Sequence, residues 1–287
     1  MPEPVLKAWL VRFGGAIVSE VPTSESVFKE TDRNRDDSAL VVWGRGTFSR
    51  LAGSEDDLKL DGAVSTGILG ADWSDGRWLA GLALSLSIGE GAWTRGGTAG
   101  QIESSATGLY PYTGYEITDR IVVWGTAGYG IGALTLIARP GERLGTDVAL
   151  LMAAAGARGD LVDRAGASGP ALSVAAGGLY ASTTSQATSA MAATEADASR
   201  MRLALEGSWG IVLPGGALLT PTAEIGTRHD GGDADTGFGA GVGGGIALAD
   251  ASGTLTLAVS GRMLLWHEAG DVRDWSVSAS VRYTTNW

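Results

Sequence analysis

The residues Asp274 to Trp287 read DWSVSASVRYTTNW. Successive side chains of an extended strand point to opposite faces. Trp275, Val277, Ala279, Val281, Tyr283, Thr285 and Trp287 therefore share one face, and Asp274, Ser276, Ser278, Ser280, Arg282, Thr284 and Asn286 share the other. The first face is apolar with rings at both ends; the second is polar throughout. A ribbon of this kind suits a strand with lipid on one side and a wet lumen on the other.

Working backward from this segment, the period of two persists to Ser38. Leu255, Leu257, Val259, Met263 and Leu265 oppose Thr254, Thr256, Ser260 and Arg262. Met201, Leu203, Leu205 and Trp209 oppose Arg200, Arg202, Glu206 and Ser208, and Trp78 to Ile88 alternates in the same way. In Leu58 to Ile68, Leu58, Leu60, Val64 and Ile68 oppose Lys59, Asp61 and Ser65, so the first four are expected to face outward. An arginine facing mid-bilayer costs about 2–4 kcal/mol, so Arg45 turns inward with Trp43 and leaves Leu40, Val42 and Phe48 outside. The lumen-facing set expected on these grounds is Arg45, Lys59, Asp61, Glu103, Arg202, Glu206, Glu224, Arg262 and Arg282.

Twelve such segments are expected, near 38–51, 56–72, 77–91, 101–117, 120–135, 145–160, 170–185, 194–211, 216–229, 234–250, 253–267 and 271–287. Turn signals separate them, among them Ser74-Asp75-Gly76, Pro214-Gly215-Gly216 and Ala269-Gly270-Asp271. The fold class is thus an all-β, twelve-stranded antiparallel barrel. A soluble β-sandwich with the apolar faces turned inward has the same alternation and stays open at this point.

Ahead of the strands, Val5, Leu6, Trp9, Leu10, Phe13, Ile17 and Val18 recur at helical spacing between Pro4 and Pro22. The chain therefore divides into a helix (1–21), a polar linker (22–37) and a barrel (38–287). Lys7 and Arg12 interrupt the apolar run that an export signal needs, so none is expected in Met1 to Glu20.

Composition narrows the function. With no Cys among 287 residues, a disulfide framework or thiolate-bound metal is excluded. A net charge of -11 disfavours a nucleic-acid partner. There is no run of about 18 apolar residues for a membrane helix, a test to which strands are invisible.

In this order of helix, linker and strands the sequence resembles the translocator β-domain of autotransporters, the type V secretion family. The resemblance rests on AWLVRFGGAIVSEV (Ala8 to Val21), SALVVWGRGTFSRLAG (Ser38 to Gly53) and LDGAVSTGILGADW (Leu60 to Trp73). ATGLYPYTGYEITDRIVVWGTAGYG (Ala106 to Gly130) and EIGTRHDGGDADTGFGAGVGGG (Glu224 to Gly245) complete it. It implies a bacterial outer-membrane barrel in contact with lipid, threaded by the helix through Trp9, Arg12, Phe13, Gly14 and Gly15. It implies a passenger polypeptide as cargo and a monomeric barrel. Its last strand, with Trp275, Val277, Val281, Tyr283 and Trp287, is the one read by the barrel-assembly machinery. Lys7 and Arg12 are expected to face lumen carboxylates such as Glu103, Glu206 or Glu224. Family members carry a passenger ahead of the helix, whereas this sequence begins just before it. Some cut themselves at an Asn-Asn pair in the helix; Asn34 and Asn286 are the only asparagines here, so that cleavage is not expected.

No catalytic residue, metal or cofactor is expected. His229 and His267 are the only histidines; both read as solvated loop tips, and no G-x-S-x-G elbow accompanies them. Asp230, Asp233 and Asp235 lack the spacing of a calcium loop, and Gly239 to Gly243 lacks the strand–turn–helix setting of a dinucleotide site. The alternative functions are a small-solute outer-membrane pore and a soluble β-scaffold for binding.

Overall fold

The computed structural model describes residues 3–20, 39–139, 142–164, 166–233 and 236–286. The linker at 22–37 and Trp287 lie outside them. Helix α1 spans Glu3–Glu20. Twelve strands follow: β1 (Ala39–Glu55), β2 (Leu58–Asp75), β3 (Trp78–Arg95), β4 (Thr98–Thr118), β5 (Ile121–Arg139), β6 (Glu142–Val162), β7 (Gly169–Ser185), β8 (Thr194–Val212), β9 (Leu218–Gly232), β10 (Gly237–Ala249), β11 (Leu255–His267) and β12 (Arg273–Asn286). Each pairs antiparallel with its neighbours in sequence, and β1 closes on β12 in register from Ala39↔Asn286 to Ala52↔Arg273. Closure leaves no unpaired edge, the condition for strands to cross lipid.

The connection from β1 to β2 and every second one thereafter lie at one end, the upper rim; β1 starts and β12 ends at the lower rim. The tightest connections use residues with positive φ, such as Gly96 (55°) and Gly97 (79°) between β3 and β4, where a side chain would strain the turn.

Alternation sets the two surfaces of the wall. Leu84, Leu86, Ile88, Ile131, Met201, Leu203, Ile225, Val259 and Val281 stand exposed on the outside. Leu69 (70% exposed) and Met201 (71%) are among the most open apolar side chains in the molecule, which is unfavourable in water and neutral in hydrocarbon. Aromatic residues border this surface at both heights: Trp78 packs on Tyr115 near the lower rim (ring centroids 4.6 Å), and Phe48 on Trp275 nearer the upper one (5.6 Å). This is the arrangement of the two interfacial girdles of a membrane barrel. The dry-core sandwich is therefore set aside.

One expectation is reversed. In β2 the apolar set Leu58, Leu60, Val64 and Ile68 is buried inside, and Lys59 and Asp61 stand on the outer face. Asp61 pairs there with Arg50 at 3.1 Å. Glu103 is also outside, 2.6 Å from Arg143. The physical reason is length. About 9–11 residues of a strand cross a bilayer, whereas β2 has 18 and β4 has 21. The upper parts of these strands project past the apolar band, so their outer face meets water and carries charge. Their inner face is apolar because it packs against α1.

Candidate functional site

The lumen holds the helix. Val5, Leu6, Trp9, Leu10, Phe13 and Ile17 are almost fully buried, and Trp9 stacks on Phe13 with centroids 6.2 Å apart. The wall of β2 to β4 receives these rings because its inward positions are small. Gly62 of β2 lies opposite Gly91 of β3, and a Cβ on either would come within 2.5 Å of the Trp9 ring. A Cβ on Gly89 would meet Phe13 at 2.8 Å. The indole Nε1 of Trp9 donates to Ser104 Oγ at 3.1 Å, and Ser104 Oγ donates to the Gly89 carbonyl at 3.3 Å. A buried donor left unpaired would cost about 1–3 kcal/mol, so this contact fixes the ring's orientation as well as its depth.

Elsewhere on the inner wall, glycine is covered by a ring of the neighbouring strand. Trp43 lies over its partner Gly70, Tyr112 over Gly81, Trp93 over Gly100 and Trp124 over Gly156. Rings laid flat fill the wall without blocking the bore. At Gly62 and Gly91 the covering ring comes from the helix instead. That pair of facing glycines is the receptor for α1.

The helix is also anchored at its other side and at the mouth. A Cβ on Gly14 would stand 2.7 Å from Thr183 Oγ1, so the absence of a side chain brings the backbone close to β7. Lys7 reaches Asp233, just past β9 at the upper rim, at 2.9 Å, rather than Glu103, Glu206 or Glu224. Their hydrogen bond is the main cause of both shifts, which raise the Lys7 amine and lower the Asp233 carboxyl from their ordinary values. Arg12 is buried, and its Nη1 donates to the Ala8 carbonyl at 3.4 Å. Gly15 has open space where a side chain would be.

The helix also lies close to β7 and β8, and beside Arg12 and Gly15 a cavity of about 240 Å³ lies between it and the inner wall that runs from β5 round to β12 and β1. Small residues (Ala154, Ala175, Gly177, Ala198, Gly226) make the room, and charges line it. Glu224 takes Arg202 and Arg262 together, the latter at 3.3 Å. Asp230 takes Arg200 at 2.6 Å and Arg228 at 2.9 Å, and Asp274 joins the same cluster through Arg228. Further round, Arg158 meets Glu206 at 3.4 Å. Alternating signs on adjacent strands let guanidinium and carboxylate groups share a partly wet interior without isolated charge.

Arg45, Arg202, Glu206, Glu224, Arg262 and Arg282 thus stand on the lumen side, while Lys59, Asp61 and Glu103 do not. Arg45 donates to Ser278 Oγ at 3.1 Å. Trp275, Val277, Val281 and Tyr283 lie on the outer face of β12. His267 is not a solvated tip: it is buried, with Nε2 3.5 Å from Asp230 and Nδ1 accepting from the Ala269 amide at 3.1 Å. His229 stands on the other side of the wall against Phe238. Asp230 and Asp233 are engaged by arginine and lysine, and Asp235 lies outside the described residues. Among the described residues no three His, Asp or Glu side chains are grouped to hold a metal ion. The glycine receptor and Ser104 were missed in the sequence. Glycines recurring at inward parity in β3, opposite a tryptophan-bearing helix, were the signal available.

Three solved structures share this architecture. They are the β-domain of the Bordetella autotransporter BrkA (TM-score 0.66, 21% identity, 86% of this chain and 99% of that one) and the transport unit of the autotransporter AIDA-I from Escherichia coli (0.67, 11%, 88% and 91%). The third is the translocator domain of the autotransporter NalP from Neisseria meningitidis (0.62, 16%, 90% and 92%). No protein-family model and no curated protein matches the sequence. At these identities the likeness is one of fold: a closed twelve-stranded barrel with one N-terminal helix, the fold of autotransporter translocator domains.

Proposed function

We propose that this chain is the outer-membrane translocator and anchor of an autotransporter, giving an N-terminal passenger its route to the cell surface. The observation that carries the reading is the helix held inside a lipid-facing barrel with its N-terminal half at the upper rim. Polypeptide preceding Glu3 would leave by that rim, and β12 ends at the opposite one. The upper rim is then the cell surface and the lower rim the periplasmic side. Ring-bordered apolar strands supply the anchor, and the charged, partly open wall of β8 to β12 supplies a wet surface along which a chain can move. The protein performs no chemistry on a small substrate, and its work needs no cofactor. It is a monomeric barrel, and the outer face of β12 is the surface offered to the barrel-assembly machinery.

The test is a fusion of a small reporter domain to the N-terminus, expressed behind an export signal in a Gram-negative host. The reporter is expected in the outer-membrane fraction and cleavable by protease added to intact cells. A reporter that stays in the periplasm while the barrel is assembled would overturn the export reading and leave the anchor.

The small-solute pore is the second reading, favoured by the cavity beside the helix. Removing residues 1–21 should raise single-channel conductance sharply, because α1 occupies the lumen; an unchanged conductance would refute its role as plug.

A further inference from the structure

We propose that Ser104 is a positioning residue for α1: by accepting from the Trp9 indole it selects one register of the helix in the lumen among three that the apolar repeat would admit. The inference deepens the translocator reading and rests on it for its meaning, since the register is the depth at which an exported chain comes to rest.

The repeat comes first. Val5, Trp9, Phe13 and Ile17 are all almost fully buried and lie four residues apart, as do Leu6 and Leu10. Four residues advance a helix by about 6 Å and turn it by only about 40°. A slide of one turn toward the upper rim therefore brings Phe13 to the seat of Trp9 and Ile17 to that of Phe13. The opposite slide brings Val5 and Trp9 to those places. In each position apolar side chains meet an apolar wall, and hydrophobic burial, being non-directional, gives no sharp choice between them.

Two contacts do choose. The Trp9 Nε1 donates to Ser104 Oγ at 3.1 Å, and Ser104 Oγ donates in turn to the Gly89 carbonyl at 3.3 Å, so its remaining capacity is that of an acceptor. Only an indole at the seat can use it, because phenylalanine and valine have no side-chain donor. The second contact is steric. Gly14 fits because a Cβ there would stand 2.7 Å from Thr183 Oγ1, and a slide in either direction replaces it with Val18 or Leu10. Arg12 has a partner besides the Ala8 carbonyl, and it keeps its identity in every variant of the test.

On the translocator reading, α1 follows the passenger toward the upper rim. The Ser104 contact then marks where its travel ends, and a turn of slip would put four more residues outside.

The experiment uses the absence of cysteine from the chain. A Cβ on Gly14 would lie 4.0 Å from Thr183 Cβ, within the separation that a disulfide spans. Gly14→Cys with Thr183→Cys therefore reports the register found. Val18→Cys with Thr183→Cys reports the register one turn outward. Its bond takes up the place where the second contact would clash, which leaves Ser104 as the contact being read. The full chain, folded in detergent, is oxidised mildly and the rate of bond formation is followed. In the parent the first pair should close fast and the second slowly. Trp9→Phe and Ser104→Ala should each speed the second pair about tenfold, the worth of one buried hydrogen bond. Together they should do no more than either alone, because both remove the same bond. Heat-modifiable migration in gels checks that each variant is a folded barrel. A second pair as fast as the first in the parent would overturn the proposal. So would faster exchange of the α1 amides in these variants without faster closure of the second pair, the mark of a helix merely loosened. The measurement needs no export, so either result leaves the translocator reading in place. The tenfold gain in a barrel that exports no reporter would uphold the register and strike that reading alone.

Discussion

The wall of β2 to β4 and the wall of β8 to β12 are made by the same rule of alternation and solve opposite problems. The first has apolar inward residues, facing glycines and strands of 18 to 21 residues that run beyond the lipid band. It meets the apolar face of α1, so its interior is dry and close-packed. The second has arginine and carboxylate ladders inward, and β9 to β12 are only 13 to 15 residues long, little more than a crossing requires. Its first strand, β8, also touches α1, and from there to β12 it lines the cavity with charged groups.

The contrast predicts where substitutions will hurt. Trp9→Ala removes the ring seated on Gly62 and Gly91 and should weaken helix docking most, by about 3–5 kcal/mol. Hydrogen exchange of the α1 amides in detergent would show it, with the barrel amides unchanged. On the wet wall, Glu224→Ala leaves Arg202 and Arg262 without their shared partner. Loss of one member of a fully buried pair costs about 3–5 kcal/mol; with water in the adjoining cavity the cost should fall to about 1–3 kcal/mol. A lower unfolding temperature in heat-modifiability gels, with helix exchange unaltered, is the expected signature.

Ser104→Ala should cost about 1–2 kcal/mol, because the Trp9 indole loses its acceptor in a dry site. Gly15→Ala is expected to slow helix exchange, by about 1 kcal/mol, since it raises helix propensity and meets open space. Its counterpart Gly14→Ala, 2.7 Å from Thr183 Oγ1, should do the reverse.

The smallest effect belongs to the Lys7–Asp233 pair at the mouth, about 0–1 kcal/mol as for other exposed pairs. Its pH dependence follows from the direction of each shift. The lowered Asp233 contributes above its unfolded value of 3.8 and is lost as pH falls through its folded value. The raised Lys7 contributes below 10.5 and is lost as pH rises through its folded value. Helix exchange in Lys7→Met should therefore differ from the parent by a constant factor between these limits and converge with it in strong acid.

How much of this was legible in the residues varied with the wall. In β12 the expected faces of Trp275 to Tyr283 and of Arg282 are those found, and the strand ranges fall within a few residues of the observed ones. In β2 the faces came out inverted, since the argument from Lys59 and Asp61 assumed that every charge on a strand must avoid lipid by turning inward. Both residues avoid it by height instead. His267 misled for a similar reason: it ends β11 next to a loop, yet it turns into the Arg–Asp cluster rather than into solvent.

Local order therefore determined the strands, their number and the helix, because periods of two and near four are properties of residues two to four apart. Which side of a ribbon is inside was decided by what occupies the lumen, and that is a helix whose Trp9 and Phe13 lie 53 to 82 residues away in sequence from the glycines they cover. Alternation states that two faces differ. Only packing across the bore decides which of them stays dry.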